Sequence, residues 1–181
     1  MTGRPQTVLG ATLRAGELCG GDIAFDLAAS RDELSEIARR LGLEAVEELT
    51  ARLAARRWGR GGAIVEGTLA ARVVQLCVVT LEPVAGDIAA EVREKFVPLS
   101  STRRDVSIDI DDPDDAEPFG GGEMDIGQLV VDTLAGALDP YPRAPGAEVE
   151  PPAGEMPGDE DGASTSPFAG LARLKGKDGP R

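Results

Sequence analysis

The spacing of apolar and polar positions changes along this chain, and each change marks an element. Asp22-Ile23-Ala24-Phe25-Asp26-Leu27 alternates with a period of two, the pattern of a half-buried strand. Ser30-Arg31-Asp32-Glu33 then reads as a capping box, with Ser30 as N-cap and Glu33 reaching back to it. Leu34, Ile37, Ala38 and Leu41 recur at helical spacing, and Gly42 supplies a left-handed stop. The next stretch reads two ways. Leu43, Val46 and Leu49 fit a helix, whereas Leu49, Ala51, Leu53 and Ala55 alternate with Thr50, Arg52, Ala54 and Arg56. The strand-like run that follows favours a strand over residues 48–58.

A turn at Gly59-Arg60-Gly61-Gly62 leads to expected strands at residues 63–70 and 73–81, and Pro83 and Gly86-Asp87 break the run. Ile88, Ala90, Val92, Glu94 and Phe96 alternate on a fourth meander strand that Pro98 ends. Farther on, Asp125 is placed to N-cap a helix with Gln128 at its third position. Ile126, Leu129, Val130, Leu134 and Leu138 form its apolar stripe, and Asp139-Pro140 stops it. Strands that follow one another, rather than alternating with helices, imply an α+β domain: an antiparallel β-meander sheet with packed helices.

Charge divides the chain further. Residues 1–104 hold 14 Lys+Arg and 14 Asp+Glu, whereas residues 105–181 hold 5 and 18, so the whole net charge of −13 lies in the second part. Nine acids and no base fall within residues 105–125, and six acids and no base within residues 148–161. Such segments have little apolar surface to offset the entropy of ordering, so both are expected to be mobile. The expected organisation is one domain over residues 1–142 with an acidic loop at about 105–124 inserted. A disordered acidic Pro/Gly linker over 143–166 and a short terminal motif over 167–181 follow.

Composition narrows the chemistry. The 181 residues include no histidine, which removes Ser-His-Asp and Cys-His catalysis and His-ligated zinc. Two cysteines, Cys19 and Cys77, build neither a disulfide framework nor a four-ligand metal site, and both read as small core residues. No window approaches the roughly 18 apolar residues of a membrane span, so a reducing, cytoplasmic setting is expected. The carboxylates Asp109, Asp111, Asp112, Asp114 and Asp115 lack the glycine and late glutamate of a calcium loop and read as a solvated acidic loop. Gly120-Gly121-Gly122 lacks the Lys-Ser/Thr of a phosphate loop and is flanked by acids. No catalytic residue, metal, cofactor or small-molecule substrate is expected.

Two groups of residues suggest contact with a partner. Arg52, Arg56, Arg57, Arg60 and Arg72 gather on the expected hairpin around Trp58, where arginine forks suit RNA phosphates and the indole suits a base. The competing reading is a solvated strand face balanced by Glu44, Glu47, Glu48 and Glu66. Near the C-terminus, Phe168, Leu171 and Leu174 repeat every three residues ahead of Lys175, a short apolar edge with a basic end suited to docking.

Several segments, in order, resemble the YceD family of large ribosomal RNA subunit accumulation proteins, and in particular its alphaproteobacterial branch. They run from Gly67-Thr68-Leu69-Ala70-Ala71-Arg72 through Leu76-Cys77-Val78-Val79-Thr80-Leu81-Glu82-Pro83-Val84 to Phe96-Val97-Pro98. An acidic loop, the Asp125-Ile126 helix start, Ala137-Leu138-Asp139-Pro140-Tyr141-Pro142-Arg143 and residues 167–175 complete the series. The resemblance implies a small cytoplasmic, non-enzymatic factor needed for normal levels of 23S ribosomal RNA. Many members carry Cys-x-x-Cys where this chain has Cys77-Val78-Val79-Thr80, so no metal or redox role for a cysteine pair carries over. The partners implied are a large-subunit ribosomal protein, a 23S ribosomal RNA precursor, or both. In one version the acidic segments shield a basic ribosomal protein; in the other the Arg52–Arg72 hairpin touches RNA. A general acidic adaptor unconnected with ribosomes is the alternative.

Overall fold

The computed structural model describes residues 8–59, 61–99 and 116–148. Along them run β1 (Thr12–Arg14), β2 (Ile23–Ala28), α1 (Arg31–Leu41), β3 (Ala45–Trp58) and β4 (Gly62–Leu76). β5 (Pro83–Pro98), β6 (Glu117–Phe119), β7 (Glu123–Asp125) and α2 (Ile126–Ala137) follow. The main sheet has five strands in the order β2-β3-β4-β5-β6, while β1 and β7 form a separate antiparallel pair. The main sheet is antiparallel except that β6 runs parallel to β5. The fold class is therefore α+β.

Both helices start where their local signals place them. The Ser30 hydroxyl accepts from the Glu33 N–H at 3.4 Å while the Glu33 carboxylate accepts from the Ser30 N–H at 2.7 Å, the reciprocal capping box. The other Glu33 oxygen accepts from the Leu9 N–H at 2.7 Å, tying the N-terminal segment to α1. Burial raises the Glu33 pKa, but the N–H groups of Ser30 and Leu9 together with the Ser30 hydroxyl outweigh it and hold the carboxyl below its ordinary value. At the far end of α1, Gly42 takes φ +66° and its N–H closes on the Ala38 carbonyl. In α2 the Asp125 carboxylate accepts from the Gln128 N–H at 2.8 Å.

The strands are longer than the local patterns imply. β3 begins at Ala45, so its first residues join the ladder instead of extending a helix, across a register irregularity between Val46 and Glu48. The expected strands at residues 63–70 and 73–81 are one continuous 15-residue strand that ends at Leu76. Pairing on both sides, with β3 and with β5, overrides the weak strand preference of Ala70-Ala71-Arg72. The expected acidic loop also stops short of residue 124, because Glu117–Phe119 and Glu123–Asp125 are strands joined through Gly121 and Gly122 at positive φ. The compact unit runs to Ala147.

One face of the sheet makes the core. Leu27, Leu49, Leu53, Val65, Leu69, Val73 and Val92 point toward Ile37 of α1 and Ile126, Val130 and Leu134 of α2. α1 packs on β3, and α2 on β5 and β4. Each such aliphatic side chain contributes about 2 kcal/mol when fully buried. The other face carries no helix among the described residues. Thr50, Arg52, Ala54, Thr68, Ala70, Arg72, Ala89 and Glu91 lie on it, and all but half-buried Thr50 are exposed.

Candidate functional site

Two places have the exposure and chemistry of a contact surface: the open sheet face and the end of the sheet where β4 turns into β5.

The open face holds the arginines in a ladder of ion pairs. Arg52 lies 3.9 Å from Asp26 across β2–β3, and Arg56 is 2.7 Å from Glu66, whose other oxygen is 3.3 Å from Arg93. Arg72 reaches Glu47 at 2.9 Å and Asp87 at 3.3 Å. Cross-strand neighbours on one sheet face meet in this way whenever opposite charges share a register. Because all these groups are more than a third exposed, each pair stabilises the fold by little, roughly 0–1 kcal/mol. Their importance is electrostatic: each guanidinium already faces a carboxylate. Trp58 shares this face with Arg52 and Arg56, and the Lys95 ammonium sits 5.3 Å from its ring centroid, over the surface a base would stack on. Arg57 pairs in register with Ala63 and lies on the opposite side.

The expected gathering of arginines around Trp58 is corrected at Arg72. Since β4 is one strand, Arg72 stands ten register positions from Gly62, the partner of Trp58, or about 33 Å along the strand. Arg60, Phe168, Leu171, Leu174 and Lys175 lie outside the described residues.

At the opposite end of the sheet, two segments far apart in sequence are stitched together. The Val78 N–H donates to the Pro142 carbonyl at 2.9 Å, and the Gln75 side-chain amide donates to the Asp139 carbonyl at 2.9 Å. Cys77 lies at the centre, fully buried. Its Sγ accepts from the N–H groups of Val79 and Thr80 at 3.4 Å each and of Ala144 at 3.3 Å. The Thr80 hydroxyl, then the Ala144 and Thr80 N–H groups, favour the thiolate over the opposing effect of burial and bring the Cys77 pKa down to about 6. Thr80 thus stands where a second thiol would and bonds to the first.

Cys19, expected in the core with Cys77, is exposed. It lies within a 3₁₀ turn at Glu17–Gly20 that buries only Leu18. Among the described residues no group of three or more Cys, Asp or Glu side chains is placed to hold a metal ion. No helix there is long and apolar enough to cross a membrane.

A thiol with pKa about 6 when folded and 9.0 when unfolded adds stability that is complete above about pH 9. That stability is lost as pH falls to about 6. The melting-temperature advantage of the protein over Cys77→Ser should therefore grow from pH 6 to pH 9. In a Cys19→Ser background, thiolate absorbance should titrate near pH 6, and Thr80→Val should move the midpoint upward. A midpoint that Thr80→Val leaves in place would contradict the geometry.

The sequence reading missed the exposed apolar residues around this loop, Leu76, Val78, Leu81 and Tyr141. Their signal was present as two motif blocks, residues 76–84 and 137–143, but nothing local shows that the blocks meet.

A family model described as "Large ribosomal RNA subunit accumulation protein YceD" matches residues 65–175, which include both blocks. No curated protein and no solved structure matches the chain.

Proposed function

The chain belongs to the YceD family of large ribosomal RNA subunit accumulation proteins, and we propose that it is a non-enzymatic ribosome-biogenesis factor that acts by binding a basic large-subunit ribosomal protein in the cytoplasm. The family's role is the accumulation of large-subunit ribosomal RNA. The observation that carries the choice of partner is the pairing of Arg52, Arg56 and Arg72 with Asp26, Glu66, Glu47 and Asp87. Phosphates would have to displace those carboxylates, and a net charge of −13 opposes RNA as a whole. A Lys/Arg-rich protein meets the opposite situation, with long-range attraction that speeds encounter. The lack of histidine leaves the usual acid–base and nucleophile-activating chemistry unsupplied, which supports the non-enzymatic part of the reading.

Individually purified large-subunit ribosomal proteins, titrated against the fluorescently labelled protein, test this reading. At least one should bind at low salt, with affinity falling about tenfold or more as ionic strength rises from roughly 0.05 M to 0.3 M. Binding of a 23S ribosomal RNA fragment that Arg52→Ala and Arg56→Ala abolish, with no ribosomal protein bound, would overturn it.

A further inference from the structure

Four of the five large apolar side chains exposed among the described residues gather at the β4–β5 end of the sheet. They are Leu76, Val78, Leu81 and Tyr141, with Leu81 71% and Tyr141 72% accessible. Beside them lies a groove of about 340 Å³ between the C-terminal ends of the two helices, lined by Leu41, Leu43, Leu76, Leu138, Pro140 and Pro142 among others. Isolated exposed apolar residues need no explanation, but a cluster beside a groove lined by leucines and prolines together with Gln75 and Asp139 marks an interaction surface.

Leu81 adds a second, independent observation. It is the one non-glycine residue among those described with positive φ, at +59°. A bulky side chain in that left-handed region is strained, and here the side chain gains no burial in return. Unfavourable backbone geometry that presents an apolar group to solvent is typical of ligand clamps.

Charge says what kind of ligand. Asp139 lines the groove, Glu44 follows its lining residue Leu43, and Glu82 lies in the adjoining β4–β5 turn. Asp139 accepts from the Tyr141 N–H at 2.9 Å and Glu82 from the Thr80 hydroxyl at 3.3 Å, but none of the three has an ion pair among the described residues. Arg143 is the neighbouring base. The contrast with the open face is direct: there each carboxylate of the ladder faces a guanidinium, whereas these three acids have no ion pair among the described residues.

We propose that this end of the sheet is the docking site for the basic protein partner, taking a segment in which an apolar side chain enters the groove and flanking Lys or Arg residues meet Glu44, Glu82 and Asp139. The inference rests on the ribosomal-protein reading above and adds the place and the mode of binding. The Cys77 hydrogen bonds and the Val78–Pro142 bond hold the two halves of the site in register before the partner arrives, which limits the ordering cost of binding.

Leu81→Asn and Tyr141→Ser test the site with the same purified ribosomal proteins. Asparagine adopts the left-handed region at less cost than leucine, so Leu81→Asn should melt at or above the parent temperature while binding about tenfold more weakly. Tyr141→Ser should weaken binding to a similar extent without a change in melting temperature, and Arg52→Ala on the open face should leave affinity within about twofold. Full affinity in both apolar variants, with a partner still bound, would overturn the docking site and leave the partner reading standing. Failure of every ribosomal protein to bind the unaltered chain would overturn both.

Discussion

Gly67→Ala is expected to lower the melting temperature by about 10 °C or more, a loss of about 3 kcal/mol for a single methyl group. Gly67 is at the middle of β4, paired with Leu53 on one side and Val92 on the other. A Cβ added there would run into the Arg52 carbonyl oxygen and would stand 2.8 Å from the Leu53 Cα and 2.9 Å from the Arg52 carbonyl carbon. All three are main-chain atoms, so no rotamer change relieves the contact. β3 must move away from β4 at the point where both are bonded to neighbours. A glycine within a strand marks such a close backbone approach. Thr68→Ala, one residue on and exposed, is the control and should cost no more than about 1 kcal/mol. An unchanged melting temperature for Gly67→Ala, measured by calorimetry, would mean that the β3–β4 register is wrong.

Leu134→Ala is expected to cost about 3 kcal/mol and to unfasten the Cys77 end of the sheet as well. Leu134 is fully buried in the main core beneath α2. The segment that follows α2 supplies the Asp139 and Pro142 carbonyls and the Ala144 N–H that close over the β4–β5 turn. If α2 is loosened by a cavity, those three bonds open more often, and Cys77 becomes accessible while the sheet remains folded. In a Cys19→Ser background, alkylation of Cys77 under native conditions should accelerate in step with the loss of stability. Destabilisation with an unchanged alkylation rate would show that the turn is held shut independently of α2.

What the sequence shows and what it hides separate by range. The caps were legible, because Ser30 with Glu33 and Asp125 with Gln128 act over three residues of chain. So were the core faces of β2 and β5, since alternation is a local property of a half-buried strand. The continuity of β4 was hidden because it depends on two neighbours that the local pattern does not contain, and the same ignorance of register placed Arg72 beside Trp58. The parallel pairing of β6 with β5 is likewise a non-local choice. Cys19 and Cys77 look alike as letters; only the return of Ala144 to the β4–β5 turn makes one of them a buried, triply hydrogen-bonded sulfur. The arginine face was readable as residues but only partly as electrostatics, since the partners Asp26 and Asp87 lie on other strands and are brought opposite Arg52 and Arg72 by register. The acids Glu47 and Glu66, weighed in the competing reading of a balanced strand face, are among the partners found.

Depletion of the protein in growing cells tests the proposed role in large-subunit RNA accumulation through a protein partner most directly. The ratio of 23S to 16S ribosomal RNA should fall, and sucrose-gradient profiles should show a deficit of large subunits that the unaltered protein restores and Leu81→Asn restores poorly. An unchanged ratio with normal gradients, under confirmed depletion, would contradict it.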